Sequence, residues 1–320
     1  MLLFLHSYKK RLSLQTMEKF EVNILGCGSA LPTTRHFSTS QVVNIREKLF
    51  MVDCGEGAQL QLRRSKLKFS RLNHIFISHL HGDHCFGLMG LISTFGLLGR
   101  TADLHIHAHK ELERLLVPHL DFFCKGMTYD VIFHTIDPSK AEVVYDDRSV
   151  MVSTIPLRHR IPTCGFLFQE KQTPNHIIRD MVDFYQIPVF ELNRIKNGED
   201  YVCPDGTIVP NHRLTRPSDP PRSYAYCSDT ICQDSIIPLI KGVDLLFHEA
   251  TFAQCDAARA KETFHTTAMQ AANIASKAEA KQLVIGHFSA RYEDETILLK
   301  EAQAIFNNTL LAKENLQITL

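Results

Sequence analysis

The chain carries no surplus charge. Its 35 lysines and arginines are matched by 35 aspartates and glutamates over 320 residues. Bulk electrostatic attraction to nucleic acid is therefore excluded, and any such partner must be held by a local patch. Paired-cysteine spacing is also missing. Cys27, Cys54, Cys85, Cys124, Cys164, Cys203, Cys227, Cys232 and Cys255 contain no C-x-x-C pair and are odd in number. This excludes a disulfide framework and points to reduced thiols in a cytoplasmic protein. Most of them read as small buried hydrophobes, with some available as metal ligands. Nor is there a long apolar run. The stretch Cys85 to Gly99 is shorter than the ~20 residues a membrane span needs and reads as a buried helix, so no membrane partner is expected. The amino terminus MLLFLHSYKKRLSLQ places its charges behind an apolar start, the reverse of a secretory signal. Residues 1–16 are expected to be a poorly ordered leader, with the ordered protein beginning near Met17. Repeats and low-complexity tracts are absent.

What is present is the profile of a soluble globular protein, 44% hydrophobic and 22% charged. Phe20 to Leu25 alternates and runs into the tight turn Gly26-Cys27-Gly28-Ser29. Ser40 to Ile45 and Lys48 to Asp53 read as the next strands, and a helix follows Gly55-Glu56-Gly57 through Leu62. Further strands are predicted at Asn73–Ser78, Leu104–His107, Val131–Thr135, Val150–Pro156, Cys164–Gln169, Ser223–Cys227, Asp244–Glu249 and Gln282–Gly286. Helices are predicted after His84 and at Lys110–Leu116, Thr267–Lys277 and Asp294–Phe306. This α/β (α+β) pattern implies two sheets packed face to face with helices on their outer sides. From about Lys171 to Arg222 the rhythm breaks into a polar stretch rich in Pro, Asn, Asp and Arg. It carries a short helical pattern at His176–Tyr185 and a hairpin-like Cys203-Pro204-Asp205-Gly206-Thr207. A segment this long is expected to form a projecting arm.

The densest chemistry lies in ISHLHGDHCFG, Ile77 to Gly87. His79, His81, Asp83 and His84 are four metal-binding side chains within six residues. With 17 histidines in 320 residues, chance supplies such a pattern at roughly a few parts in a thousand. His79 and His81, two apart at a strand end, face one side and can serve one ion. Gly82 permits a reversal, after which Asp83 and His84 can serve a second. His159, Asp229 and His287 each follow a short apolar strand and are candidates to complete a binuclear site.

His-x-His-x-Asp-His with these later residues resembles the metallo-β-lactamase superfamily. More specifically, the chain from Met17 is similar to the ribonuclease Z family, endonucleases that trim the 3′ trailer from precursor tRNA. The supporting stretches are Gly26-Cys27-Gly28-Ser29-Ala30-Leu31-Pro32, Asp53-Cys54-Gly55-Glu56-Gly57, Pro156-Leu157-Arg158-His159, Ser228-Asp229-Thr230, His248-Glu249-Ala250-Thr251-Phe252, His265-Thr266-Thr267-Ala268 and Gly286-His287-Phe288-Ser289. The resemblance implies an αββα four-layer sandwich over 17–320, with a tRNA-binding arm inserted at about 171–222.

It also implies roles. His79, His81 and His159 would hold one zinc, Asp83, His84 and His287 the other, and Asp229 would bridge them, making two zinc ions per subunit. Asp53 would orient a ligand by hydrogen bonding, and Asp83 would take the proton of the attacking water. His248 would protonate the leaving oxygen with Glu249 beside it, while His265 and Thr266 would donate to phosphate. The products would be a tRNA 3′-hydroxyl and a trailer 5′-phosphate. In bacterial members the arm grips the tRNA body, often from the partner subunit of a homodimer. Here the arm offers Arg194, Lys196, His212, Arg213, Arg216 and Arg222. Arg63, Arg64, Lys66, Lys68 and Arg71 form a basic cluster before the motif strand, either a solvated face or a phosphate patch.

Three places depart from the family pattern. Ile187-Pro188-Val189-Phe190 stands where the arm usually carries a Gly-Pro step. The loop Pro32–His36 is shorter than the common version, and Ser228 replaces a glycine. His105, His107 and His109 have ligand-like spacing but no carboxylate partner nearby in sequence, and are expected to be structural. The alternative reading is a phosphodiesterase of the same fold acting on small or cyclic phosphodiesters.

Overall fold

The computed structural model describes residues 18–320; the leader expected at 1–16 lies outside the described residues. The first half contributes β1 (Phe20–Gly26), β2 (Ser40–Ile45), β3 (Lys48–Cys54), α1 (Ala58–Arg64), β4 (Leu72–Phe76), α2 (Gly82–Cys85), α3 (Leu88–Leu97), β5 (Leu104–Ala108), α4 (Glu111–Phe123) and β6 (Val131–Thr135). Next come β7 (Val143–Asp146), β8 (Val150–Leu157) and β9 (Thr163–Glu170). After the arm the chain forms β14 (Ser223–Cys227), β15 (Leu245–Glu249), α8 (Ala257–Thr263), α9 (Ala268–Lys277), β16 (Gln282–Gly286), α10 (Thr296–Gln303), β17 (Thr309–Leu311) and β18 (Gln317–Thr319). Two seven-stranded sheets result, ordered β18-β1-β2-β3-β4-β5-β6 and β17-β16-β15-β14-β9-β8-β7.

The period of two along the strands sorts side chains between layers. In β3, Phe50 and Val52 join the core between the sheets, whereas Leu49 and Met51 join the core beneath α1, α3 and α4. Buried on both faces, β2 loses the apolar–polar alternation of a half-exposed strand. Between the sheets Phe76 packs on Phe166 at 5.3 Å and on Phe168 at 5.6 Å, and Phe50 on Phe168 at 5.9 Å. Truncating any one of these buried rings would cost about 3–5 kcal/mol. Alanines of α9 and Leu298 and Ala302 of α10 extend the inter-sheet core over the outer face of the second sheet. This is the expected αββα sandwich.

The parallel portions place the chemistry. β3, β4, β5 and β6 run parallel in one sheet, and β14, β15, β16 and β17 in the other. The turns beyond β3, β4, β8, β14 and β16 therefore gather at one edge of the sandwich, where strand carboxyl ends leave backbone free for loops.

Some boundaries differ from the sequence expectation. The helix expected at Lys110–Leu116 runs instead from Glu111 to Phe123, through Pro118, because Leu112, Leu116 and Leu120 form one buried stripe against the first sheet. The short strands β7, β17 and β18 were not anticipated, since three or four residues give too little alternation to read. In the arm, between Glu170 and Ser223, lie β10 (His176–Ile177), α5 (Arg179–Phe184), α6 (Leu192–Lys196), β11 (Tyr201–Val202), β12 (Ile208–Val209), α7 (Asn211–Leu214) and β13 (Thr215–Arg216). The helical pattern expected from His176 thus starts only at Arg179, because His176 and Ile177 pair with β13 instead. β11 and β12 form the anticipated hairpin, with Gly206 at φ 84°. Val182, Ile187, Ile195, Tyr201, Val209 and Leu214 give the arm a small core of its own.

Candidate metal centre

All seven expected ligands converge. His79 Nε2 lies 3.0 Å from His81 Nδ1, which lies 3.3 Å from His159 Nε2. On the other side His84 Nε2 and His287 Nε2 each lie 3.4 Å from Asp83 Oδ2. Asp229 joins the two sets with separate oxygens. Its Oδ2 is 3.7 Å from His79 and 3.8 Å from His159, and its Oδ1 is 3.4 Å from His84 and 3.2 Å from His287. The donor atoms of His79, His81, His159 and Asp229 cluster together, as do those of Asp83, His84 and His287.

The donor set fits divalent cations. His84 Nε2 and Asp229 Oδ1 are buried with no hydrogen-bond partner. Orphaned buried atoms of this kind are costly unless an ion completes them. Burial holds His79, His81 and His159 below the ordinary imidazole range, so they present neutral nitrogen. Burial also opposes charge on Asp229, yet His287 and His84 outweigh it and keep the carboxylate ionised. On His84 burial is again the largest influence, but Asp83, Asp229 and Asp53 together raise its pKa well above the usual value. A cation bound there would displace that proton.

Ring orientation is set from behind. Asp53, the penultimate residue of β3, sits at φ 56°, and its Oδ2 accepts from His84 Nδ1 at 2.7 Å, Tyr226 OH at 2.6 Å and Ser78 Oγ at 2.8 Å. Its Oδ1 accepts the Ser78 N–H at 2.7 Å. His159 Nδ1 donates to the Phe264 carbonyl at 2.9 Å, and His287 Nδ1 pairs with Thr251 Oγ1 at 2.9 Å. His287 sits at φ 62°, a second left-handed non-glycine residue at the site. Fully buried Glu249 accepts from the Thr230 and Thr266 backbone through Oε1 and from Thr251 through Oε2. A cavity of about 600 Å³ opens over the centre, lined by His81, Asp83, His159, Asp229, His265 and His287 among others. Among the described residues, the larger cavity of about 750 Å³ at the arm root contains no such cluster.

A family model described as Anti-Pycsar protein Apyc1 matches residues 20–174, a stretch that contains five of the ligands and lacks Asp229 and His287. Full-length relatives decide the assignment. Ribonuclease Z of Phocaeicola vulgatus is 77% identical over 304 residues, 95% of this chain and 98% of that protein. The chain belongs to the ribonuclease Z family. Ribonuclease Z of Bacteroides thetaiotaomicron is 74% identical over 95% of this chain and 96% of its own length. The crystal structure of human tRNase Z, short form, superposes with a TM-score of 0.67 at 25% identity, covering 93% of this chain and 98% of that one. The chain is thus a hydrolytic endoribonuclease of the metallo-β-lactamase fold.

Against that family pattern, two expected roles are not supported by position. His248 is fully buried on β15, with Nδ1 donating to the Glu249 carbonyl at 2.7 Å, and it does not line the cavity. It cannot reach a leaving group from there. Thr266 is also fully buried, and its hydroxyl is spent on the Thr230 carbonyl at 2.6 Å. His265 does line the cavity, 3.0 Å from Glu249 Oε1. Burial opposes its charge, but the Glu249 carboxylate prevails and raises its pKa to about 9.

Other placements follow from packing. Ser228, the departure from the ribonuclease Z glycine, puts its Oγ 2.9 Å from Ser78 Oγ and so joins the Asp53 network. Ser78, Tyr226 and Thr230 were not singled out from sequence as supports, because short polar contacts between distant strands leave no periodic signal. His105 and His107 stay outside the metal cluster and stack with His74 and His134 on the first sheet. Several basic side chains proposed for RNA are already engaged. Arg71 pairs with Glu47, Arg194 with Glu191 and Glu199, and Arg222 with Glu170 and the carbonyls of Leu320 and Glu18. Among the described residues no helix is long and apolar enough to cross a membrane.

Proposed function

We propose that this protein removes the 3′ trailer of precursor tRNA by phosphodiester hydrolysis, with two zinc ions per subunit held by the two ligand sets. The observation that carries the reading is Asp229, whose two oxygens face the two sets separately, in a chain 77% identical to a ribonuclease Z over 304 residues. Bound there, divalent ions would lower the pKa of water and neutralise phosphate charge. The imidazole and carboxylate donors suit zinc, and also manganese or cobalt.

The protein's own groups handle the protons. Asp83 lines the cavity, and although burial opposes its ionisation, His84 and His287 hold its carboxyl far below the usual range. It accepts the proton of the attacking water. His265 takes the role first read onto His248. Its imidazolium, kept charged by Glu249, faces the cavity and protonates the departing 3′ oxygen of the tRNA, leaving a 3′-hydroxyl and a trailer 5′-phosphate. The arm positions the tRNA body through shape and backbone contacts, which suits folded RNA better than base reading. Lys196, Arg213 and Arg216 are its candidate phosphate contacts. A homodimer is supported by the exposed apolar side chains Leu97, Leu98, Leu115, Phe122 and Phe123 on α3 and α4 and the turn between α3 and β5. The free thiols support a cytoplasmic location.

Cleavage of an end-labelled precursor tRNA, with and without chelator, tests the reading, with a small aryl phosphodiester and a cyclic nucleotide assayed beside it. A single chelator-sensitive cut at the trailer junction is expected. Turnover of the small esters with the precursor left intact would replace the tRNA reading by the small-phosphodiester alternative.

A further inference from the structure

A second ligand-like cluster lies just beyond the cavity wall. Cys27 follows β1, His36 sits in the short loop before β2, and Glu314 lies between β17 and β18. Cys27 Sγ is 3.3 Å from His36 Nδ1 and 3.8 Å from Glu314 Oε1. His36 Nδ1 is 3.1 Å from Glu314 Oε2 and 3.3 Å from Oε1. One ring nitrogen thus faces a thiol and two carboxylate oxygens, and Glu314 Oε1 also accepts the Phe37 N–H at 2.9 Å. The opposite ring nitrogen, Nε2, lies 3.3 Å from Glu295 Oε1.

We propose that Cys27, His36 and Glu314 bind a third divalent ion of the zinc type, with Glu295 fixing the ring of His36. Bond lengths of about 2.3 Å to sulfur and about 2.0–2.2 Å to nitrogen and oxygen place tetrahedral donors roughly 3.4–3.6 Å apart. The three separations here straddle that range. Two of them, 3.1 and 3.3 Å, are close to the 3.0 and 3.3 Å spacings among His79, His81 and His159 in this same chain. A carboxylate on the far nitrogen of a ligating histidine is the usual orienting arrangement. As sulfur binds the ion, the thiol proton passes to solvent, and His36 keeps only the Nε2 proton directed at Glu295. The Ala312 carbonyl, 3.5 Å from Sγ, or a water remains for the fourth position.

The site would be a clamp and not a reaction centre. Cys27 is fully buried, and the adjacent Gly28 bridges both to Ser38 and to Phe288, the residue after ligand His287. Ser29, Leu31 and Ser38 line the catalytic cavity. An ion on Cys27 and His36 would pin this wall to the carboxyl-terminal segment through Glu314. His36, at the end of the loop Pro32–His36, lies with its Nδ1 3.3 Å from the thiol.

Cobalt(II) separates this site from the catalytic pair, because among the clusters of the described residues only the new one contains sulfur. Full-length protein is stripped with chelator and titrated with cobalt(II) while the near-ultraviolet spectrum is recorded. A thiolate-to-cobalt charge-transfer band is expected in the wild type. Cys27→Ser should lose that band and one equivalent of cobalt while keeping the visible bands of the nitrogen and oxygen sites. No charge-transfer band in the saturated wild type would overturn the proposal, and that measurement needs no variant to fold. Persistence of the band in Cys27→Ser would overturn it as well, by assigning the sulfur to another cysteine.

Discussion

Asp53 Oδ2 accepts a hydrogen bond from His84 Nδ1 at 2.7 Å, and this contact decides which nitrogen His84 turns toward the metal centre. The same carboxylate holds the Ser78 backbone next to His79, so one residue braces candidate ligands in both sets. Asp53→Asn keeps the size and loses the charge; with its one oxygen held by the Ser78 N–H, it turns toward His84 Nδ1 an NH2 group that cannot accept. Metal affinity is expected to fall about 10- to 100-fold. A competition titration against a fluorescent chelator measures it, with circular dichroism confirming the fold. Unchanged affinity would show that His84 is oriented by packing alone.

The convergence of the seven candidate ligands was partly legible in sequence, because His79, His159, Asp229 and His287 each lie just past a short apolar strand, and strand ends of one direction meet at one edge of a sandwich. The local cluster at 79–84 could be read from residue type and spacing alone. Pairing it with His159, Asp229 and His287 needed the family resemblance, since their distances in sequence carry no geometry. Sequence failed for His248 and Thr266, where a motif names residues together but the strand and the turn before α9 point neighbours opposite ways. β15 buries His248, while the turn before the capping box of Thr267 and Gln270 leaves His265 at the cavity. The arm's basic residues misled for a similar reason: composition shows charge but not the carboxylates that already hold Arg194 and Arg222.

His265→Gln should lower kcat for precursor tRNA by roughly 10²- to 10⁴-fold, the usual contribution of a general acid, with KM changed little. A small aryl ester with a good leaving group needs no proton and should be cleaved nearly as well as by the wild type. Comparing kcat for the two substrates checks the assignment. Equal losses on both would move His265 from proton donor to a support of the metal site.

Deleting Pro174 to Thr215 removes the arm's own core together with Lys196 and Arg213, but none of the seven ligands. Precursor-tRNA cleavage is expected to disappear while hydrolysis of a small aryl phosphodiester persists. Assaying both on the purified deletion variant distinguishes substrate gripping from chemistry. Parallel loss of the two activities would mean that the arm also supports the centre.

Stability in mild acid should depend on a site remote from the metals. His74, His105, His107 and His134 stack across β4, β5 and β6, against Phe50, Phe76 and Tyr145, with Lys48 and Asp147 nearby. Burial first, and then the neighbouring histidines, pushes His107 down to about 3 and His74 down to about 4. Their unfolded counterparts titrate near ~6.5. Between these values the unfolded chain takes up protons that the folded one refuses, so the stabilisation is complete above ~6.5 and falls as pH drops toward the folded pKa values. For buried His107 the loss should be on the order of a few kcal/mol. Urea unfolding of wild type and His107→Phe at about pH 7.5 and about pH 5 isolates the term, because both proteins keep the same metal ligands. Phenylalanine can retain the stack on Phe76 without a titrating nitrogen, so its stability should fall less on acidification. Matching losses in the two proteins would place the acid sensitivity elsewhere.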